Sequence, residues 1–160
     1  VQEIRSFFKK TILLAGCISN GNDIASAMQM GADFAWIGTR FINTTESRAS
    51  EGYRDMIIES GASDIVHTAA VSGVEANFLR PSLEAMGITK EMWDKKAKMD
   101  FGKELDAAKA EAKAWKTLWS AGQGVATVHD NISVAELVNR LRSEFLEALN
   151  KQAQVLERYS

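Results

Sequence analysis

Two apolar segments decide the fold: Thr11-Ile12-Leu13-Leu14-Ala15-Gly16 and Asp33-Phe34-Ala35-Trp36-Ile37-Gly38. Each has a short apolar run that ends at a glycine, which is typical of a strand buried on both faces of a parallel sheet. Between them, apolar residues at helical spacing over 23–30 predict a helix that Gly31 ends. A strand, a helix and a strand within about 30 residues form a βαβ unit. We therefore predict an α/β fold with two adjacent parallel strands.

The rest of the chain is predicted to be largely helical. Small polar residues at Thr44 and Thr45 predict a helix from about 44 to 60. Residues 64–71 look extended, and 72–80 look irregular. Pro81 is well placed to begin a short helix, because proline suits the first helical turn.

The C-terminal half of the chain carries the strongest helix signals. Residues 89–119 are rich in Ala, Lys and Glu, which predicts one or two exposed helices with a break near Gly102. Ser133 followed by Glu136 forms a capping box, in which each side chain binds a backbone amide at the helix start. The apolar stripe that follows predicts a long C-terminal helix.

Composition limits the classes of protein and partner. The 160 residues carry a net charge of −2, with 46% hydrophobic and 25% charged residues. These values are ordinary for a soluble globular domain, and they give no electrostatic reason to expect nucleic acid or an anionic membrane as partner. Cys17 is the only cysteine, so no intrachain disulfide can form, and we expect a cytoplasmic setting and no metal site.

The two strand-end glycines are candidates for a phosphate site. The carboxyl ends of parallel strands meet at one edge of a sheet, so Gly16-Cys17 and Gly38-Thr39 would aim backbone amides at the same place. Thr39 adds a hydroxyl, and a helix starting near Thr44 would add its positive end. Glycine also marks ordinary turns, and the pattern alone leaves both interpretations open.

Several motifs resemble one family in the order in which that family has them. They are Ala15-Gly16-Cys17-Ile18-Ser19-Asn20-Gly21, Gly31-Ala32-Asp33, Ile37-Gly38-Thr39-Arg40-Phe41, Val71-Ser72-Gly73-Val74-Glu75-Ala76-Asn77-Phe78-Leu79-Arg80-Pro81 and Trp119-Ser120-Ala121-Gly122-Gln123-Gly124-Val125. Together they resemble the nitronate monooxygenases, once called 2-nitropropane dioxygenases. The Gly-Thr-Arg-Phe element is fairly specific, whereas a glycine-rich strand end occurs in many FMN barrels.

This resemblance implies the C-terminal portion of a TIM-type (β/α)8 barrel followed by a mostly helical C-terminal extension. Residues 1–61 would be the last βα units, and 62–160 the extension. The implied activity is FMN-dependent oxidation of alkyl nitronates with dioxygen. The resemblance places FMN phosphate at Gly16, Cys17, Gly38 and Thr39.

Two departures from the family pattern affect the site. Cys17 stands where the family usually has glycine, and its amide would donate to phosphate if its φ were negative. A redox role for the Cys17 thiol is the alternative. The family's catalytic histidine lies upstream of the part matched here, so we interpret His67 and His129 as structural or surface residues. The chain has no initiator Met and resembles only the later part of the family, which suggests a fragment or a processed product.

Two further residues are candidate loop contacts. Arg40 would either neutralise phosphate charge or pair with a carboxylate beneath the loop, and we favour the second. Gln123, between two glycines, would either approach the ligand or pack on the barrel mouth, and packing is favoured.

Alternatives remain for function and partner. A flavin-dependent enoyl-acyl-carrier-protein reductase shares the barrel and a similar Gly-Thr-Arg element. The chain could also be a non-catalytic fragment or binding module. A half barrel leaves an open sheet edge and an uncovered apolar face, so we expect association with a missing N-terminal barrel half or with another copy.

Overall fold

The structure is a computed structural model that describes residues 1–71, 74–93 and 118–160. Most of the helical region predicted for 89–119, including the break at Gly102, lies outside these residues. The chain divides into two compact units, one formed by residues 1–49 with 127–160 and the other by residues 50–126. The C-terminal helix belongs to the same compact unit as the first βαβ element. The predicted division at residue 61 stays a prediction.

The helices and strands of the described residues follow one another in a mixed α/β order. They are α1 (Gln2–Phe7), β1 (Leu13–Ala15), α2 (Gly21–Gln29), β2 (Phe34–Trp36), α3 (Thr39–Ile42), α4 (Glu51–Glu59), β3 (Ile65–Thr68), β4 (Ala76–Leu79), α5 (Arg80–Ala85), α6 (Lys90–Trp93) and α7 (Val134–Tyr159). Within this described part, no helix has both the length and the apolar character needed to cross a bilayer.

The predicted βαβ unit is confirmed. β1 and β2 pair in parallel, with Leu13 opposite Phe34 and Ala15 opposite Trp36. Between them, α2 begins at a capping box formed by Asn20 and Asp23. An N-cap side chain of this kind satisfies amides that have no partner inside the helix.

The prediction that both strands are buried on both faces is wrong for this chain. Leu13, Phe34 and Trp36 are 50%, 61% and 62% exposed, whereas Leu14 and Ala35 are partly buried. Alternate residues of a strand point to opposite faces. Since α2 packs against β2 on one side, the other face of this two-stranded sheet remains an exposed apolar surface.

The C-terminal helix α7 is confirmed together with its capping box. The Glu136 amide donates to Ser133 Oγ at 3.2 Å, and the Ser133 amide donates to Glu136 Oε2 at 2.9 Å. α7 packs against α2 and buries Leu137 and Leu141, which belong to the predicted stripe. A helix from the end of the chain therefore joins the core of the first unit.

The helix predicted to begin near Thr44 starts later in the chain. The Thr45 amide donates to the Ile132 carbonyl at 3.0 Å, and Thr44 forms a parallel bridge with Ile132. The Glu46 carboxylate accepts from the Val134 amide at the start of α7. These residues are bound to the segment before α7, so the next long helix, α4, begins only after its N-cap Ser50.

The second unit contains an antiparallel pair of strands: β3 lies in the segment predicted to be extended, and β4 lies where irregular chain was predicted. β4 pairs with β3, with Ile65 opposite Leu79 and His67 opposite Asn77. The segment 76–79 is too short to show a clear strand pattern in sequence, and the pairing depends on β3 as its partner. α5 starts as predicted, with Pro81 in its first turn. The core of this unit includes a buried cluster of Phe78, Leu83 and Leu118.

Candidate functional site

The two candidate phosphate loops leave the same edge of the parallel sheet. Gly16 follows β1 directly, and Gly38 follows β2 after one residue. Because the strands are parallel and adjacent, their carboxyl ends lie together. A Cβ built on Gly16 or Gly38 would meet no other atom within 4 Å. Both glycines therefore present backbone to open space, which is the arrangement that a phosphate needs.

The expectation that Cys17 could donate its amide to phosphate required a negative φ, and the structure does not have one. The φ of Cys17 is +56°, and Cys17 follows Gly16 at φ +95°. For a residue with a Cβ, the left-handed region costs roughly 1–2 kcal/mol. The position thus favours glycine, which the family usually has there. The Cys17 thiol is exposed.

Helix termini contribute less to this edge than predicted. No helix begins at Thr44, and α3, which starts at Thr39, has only four residues. At the start of α2, the Asp23 carboxylate accepts from the Ser19 and Asn20 amides at 2.9 and 3.3 Å. The Gly21 amide donates to Glu144 Oε2 at 2.8 Å. Carboxylates already bind these amides, so the strand-end loops are the better candidates for phosphate.

Arg40 lies beneath the second loop in the bracing arrangement. Its side chain is 3% exposed, and its Nη2 donates to Asp130 Oδ1 at 2.5 Å. Its Nη1 donates to the Asn43 carbonyl at 3.1 Å. Burial lowers the pKa of the Arg40 guanidinium, and the nearby Asp130 carboxylate opposes that shift. Arginine does not lose its proton in proteins, so the group stays charged. The other oxygen of Asp130 accepts from Arg140 at 2.7 Å.

The remaining predicted residues belong to the second unit or lie at the surface. Gln123 belongs to the second unit, at the start of the 3-10 turn Gln123–Thr127, whose Val125 is fully buried. A role for Gln123 at a ligand stays a prediction. His129 is exposed.

His67 is also exposed, on β3 of the second unit. Its Nδ1 lies 2.9 Å from Asn77 Oδ1, and its Nε2 lies 3.5 Å from Glu75 Oε2. No partner for His67 was evident in the sequence, because the register between β3 and β4 is what brings Asn77 opposite it.

Sequence reasoning missed three residues near the loops: Asp130, Arg140 and Glu144. Asp130 is 90 positions from Arg40, and Glu144 is 123 positions from Gly21. The only local signal is the spacing of Arg140 and Glu144, which places both on one face of α7. Nothing in the sequence indicates which loops that face would contact.

Comparison with solved structures defines the class of protein. Over 94% of this chain and 43% of the other, the fold matches nitroalkane oxidase from Streptomyces ansochromogenes, with a TM-score of 0.70 and 28% identity. FabK from Thermotoga maritima matches over 96% of this chain and 50% of its own, with a TM-score of 0.72 and 24% identity. At that identity, the second likeness shows the fold alone. Both are TIM-barrel enzymes, and this chain has an α/β fold with a C-terminal helix.

Sequence comparison then identifies the family. Residues 1–144 match the family described as nitronate monooxygenase, and the chain belongs to that family of oxidoreductases. It is 34% identical over 149 residues to a nitronate monooxygenase from Paraburkholderia phytofirmans. The match covers 89% of this chain and 40% of that relative. The family and its flavoenzyme neighbours imply a flavin cofactor.

Proposed function

We propose that this chain supplies the FMN-phosphate loops of a nitronate monooxygenase, an enzyme that oxidises alkyl nitronates with dioxygen. Membership of the family supports the reaction class. One observation carries the assignment of the loops: Gly16 and Gly38 end adjacent parallel strands, and each faces open space where a side chain would project. FMN supplies the electron transfer and the reaction with dioxygen, and the chain supplies position and charge.

The residues at the strand ends fit a phosphate group both in the space they leave and in the amides they offer. Gly38 has φ −112°, which other residues also adopt, so the backbone angle does not require glycine there. A Cβ on Gly38 would project into open space. If a bound anion fills that space, the position requires glycine. The Gly38 and Thr39 amides would donate to phosphate from one side, and the Gly16-Cys17 turn would line the other. Arg40 braces the second loop from beneath rather than touching the anion.

Gly38→Val tests the phosphate assignment. The branched side chain fills the space proposed for phosphate, and its Cβ would meet no atom within 4 Å, so we expect the fold to survive. Losing about two charge-assisted hydrogen bonds, each about 1.5 kcal/mol, raises the Kd for FMN roughly a hundredfold. Riboflavin, which lacks the phosphate, should bind the parent and the variant alike. Fluorescence titration with both flavins measures this.

Gly61→Val is the matched control for this experiment. Gly61 also has a negative φ, −109°, and a Cβ there makes only ordinary contacts, the closest at 3.9 Å. Gly61 is not among the residues proposed to bind the phosphate, so Gly61→Val should leave FMN affinity unchanged. Unaltered FMN affinity in a folded Gly38→Val protein would show that the loop has another role.

The reaction itself is tested by offering both candidate chemistries. Propyl nitronate in air, and separately NADH with an enoyl thioester, are added to the full-length protein, which includes the barrel half expected to hold the catalytic histidine. We expect nitronate turnover. Oxidation of NADH coupled to enoyl reduction, with no nitronate turnover, would instead identify the enoyl-acyl-carrier-protein reductase. Flavin binding without either reaction would favour the binding module.

A further inference from the structure

Charged residues of the C-terminal segment hold both strand-end loops. The set comprises Asp130, Arg140 and Glu144, which we call the α7 brace. Arg140 and Glu144 lie on α7 itself, and Asp130 lies just before it. Each loop is bound by a carboxylate of this brace.

Glu144 binds the end of the first loop. That loop runs from Gly16 to Asn20, and the Gly21 amide that follows it donates to Glu144 Oε2 at 2.8 Å. Gly21 is buried, and a Cβ on it would lie 2.2 Å from the Phe145 amide nitrogen. The backbone of the loop end is therefore in direct contact with the backbone of α7.

Asp130 binds the second loop through Arg40, two residues after Gly38. Its Oδ1 accepts from Arg40 at 2.5 Å, and its Oδ2 accepts from Arg140 of α7 at 2.7 Å. The Arg40 side chain is 3% exposed, so removing Asp130 would leave a buried cation without its carboxylate. The guanidinium, and the short helix α3 that carries it, would then move.

We propose that Glu144 and Asp130 are positioning residues for the FMN phosphate, holding the two loops in the one arrangement that binds it. The inference rests on the proposed function of the loops. Neither carboxylate touches phosphate; each acts through Gly21 or Arg40. Glu144 of the 26-residue helix α7 binds the first loop, and Arg140 of the same helix holds Asp130, which binds the second loop. The separation of the two loops is therefore set through α7 and not by each short loop alone.

The expected effect follows from the population of the competent arrangement. The apparent Kd equals the intrinsic Kd divided by the fraction of molecules with both loops in place. If loss of the Glu144 carboxylate leaves that fraction at about one tenth, the Kd for FMN rises about tenfold. Affinity for riboflavin should stay constant, because riboflavin has no phosphate for the loops to bind. A general loss of folding would weaken both flavins together.

The test compares Glu144→Ala with Glu144→Gln, which keeps an oxygen acceptor for the Gly21 amide. The matched control is Glu147→Ala on the same helix. Glu147 is exposed, and within the described part of the chain its ion-pair partner is Lys151. FMN and riboflavin titrations are run well below the melting temperature. Amide hydrogen exchange is followed over residues 16–21 and 38–43, which reports on loop order without any flavin.

We expect Glu144→Ala to raise the Kd for FMN about tenfold, to leave riboflavin binding unchanged and to speed exchange in the first loop. Glu144→Gln should restore affinity to within a few-fold of the parent, and Glu147→Ala should match the parent.

Asp130→Asn extends the test to the second loop, since it keeps an acceptor for Arg40 while removing the charge. It should weaken FMN binding and speed exchange over 38–43.

The outcomes separate this inference from the proposed function. A parent protein that binds no FMN overturns the proposed function and the positioning role together, even if exchange in Glu144→Ala shows that the brace orders the loop. A parent that binds FMN, with Glu144→Ala unchanged in FMN affinity or equally weakened toward riboflavin, overturns the positioning role alone. An equal loss in Glu147→Ala would overturn it as well.

Discussion

Replacing Gly21 by alanine tests the contact between α2 and α7 on which the first unit depends. Gly21 is the first residue of α2 and is buried. A Cβ added there would lie 2.2 Å from the Phe145 amide nitrogen, 2.4 Å from the Leu141 carbonyl oxygen and 2.5 Å from Glu144 Cβ. Two of these three atoms belong to the backbone of α7, so no side-chain rotation can relieve the clash.

The expected change in the free energy of unfolding is the sum of opposing effects. Helix propensity alone predicts that Gly→Ala stabilises a helix interior, by about 1 kcal/mol at most. Forcing a methyl group into a packed contact costs about 1–3 kcal/mol. Moving α7 far enough also breaks the bond from the Gly21 amide to the Glu144 carboxylate, worth about 1.5–3 kcal/mol. The steric and hydrogen-bond losses outweigh the propensity gain, and we expect a net destabilisation of about 2–5 kcal/mol.

Urea and thermal unfolding measure this change, with Gly38→Ala as the matched control. A Cβ on Gly38 meets no atom within 4 Å, so that variant should unfold within about 0.5 kcal/mol of the parent. Gly21→Ala should lower the melting temperature by at least about 5 °C. A Gly21→Ala protein as stable as the parent would refute the close approach of α2 and α7.

Three further outcomes are expected. Cys17→Gly should raise the urea midpoint by the equivalent of about 0.5–1 kcal/mol, because glycine adopts a positive φ without strain. The greater entropy of glycine in the unfolded chain offsets part of this gain. A lower urea midpoint would contradict the backbone strain at Cys17. In the full-length protein, His67→Ala and His129→Ala should leave nitronate turnover within a few-fold of the parent, well short of the ~100-fold loss expected for a general base. Steady-state rates that collapse in either variant would place the catalytic residue there. Hydrogen bonds and ion pairs lower the folded-state pKa values of Asp33 and Asp64. The stabilisation that these two carboxylates contribute is therefore present above about pH 4 and is lost as pH falls through the lowered folded-state values. Unfolding curves between pH 7 and 2 measure this loss, and stability that rises on acidification would contradict it.

The candidate site was partly accessible from sequence. Gly16 and Gly38 were predicted as strand ends because short apolar runs and the residues that follow them are local signals. The left-handed conformation of Cys17 was not predicted, because φ depends on the turn that the surrounding chain imposes. The exposure of Phe34 and Trp36 was also missed, because periodicity describes a strand without showing what covers its faces.

The sequence by itself determined the βαβ unit and the start of α7, because helix caps and hydrophobic spacing act between residues a few positions apart. Only the tertiary structure decided that α7 packs on α2, that Glu144 binds the Gly21 amide and that Asp130 pairs with Arg40. It also decided that β4 pairs with β3. Ladder partners and ion pairs of this kind join residues that the path of the chain brings together, and no local pattern specifies which of many charged or apolar residues will meet.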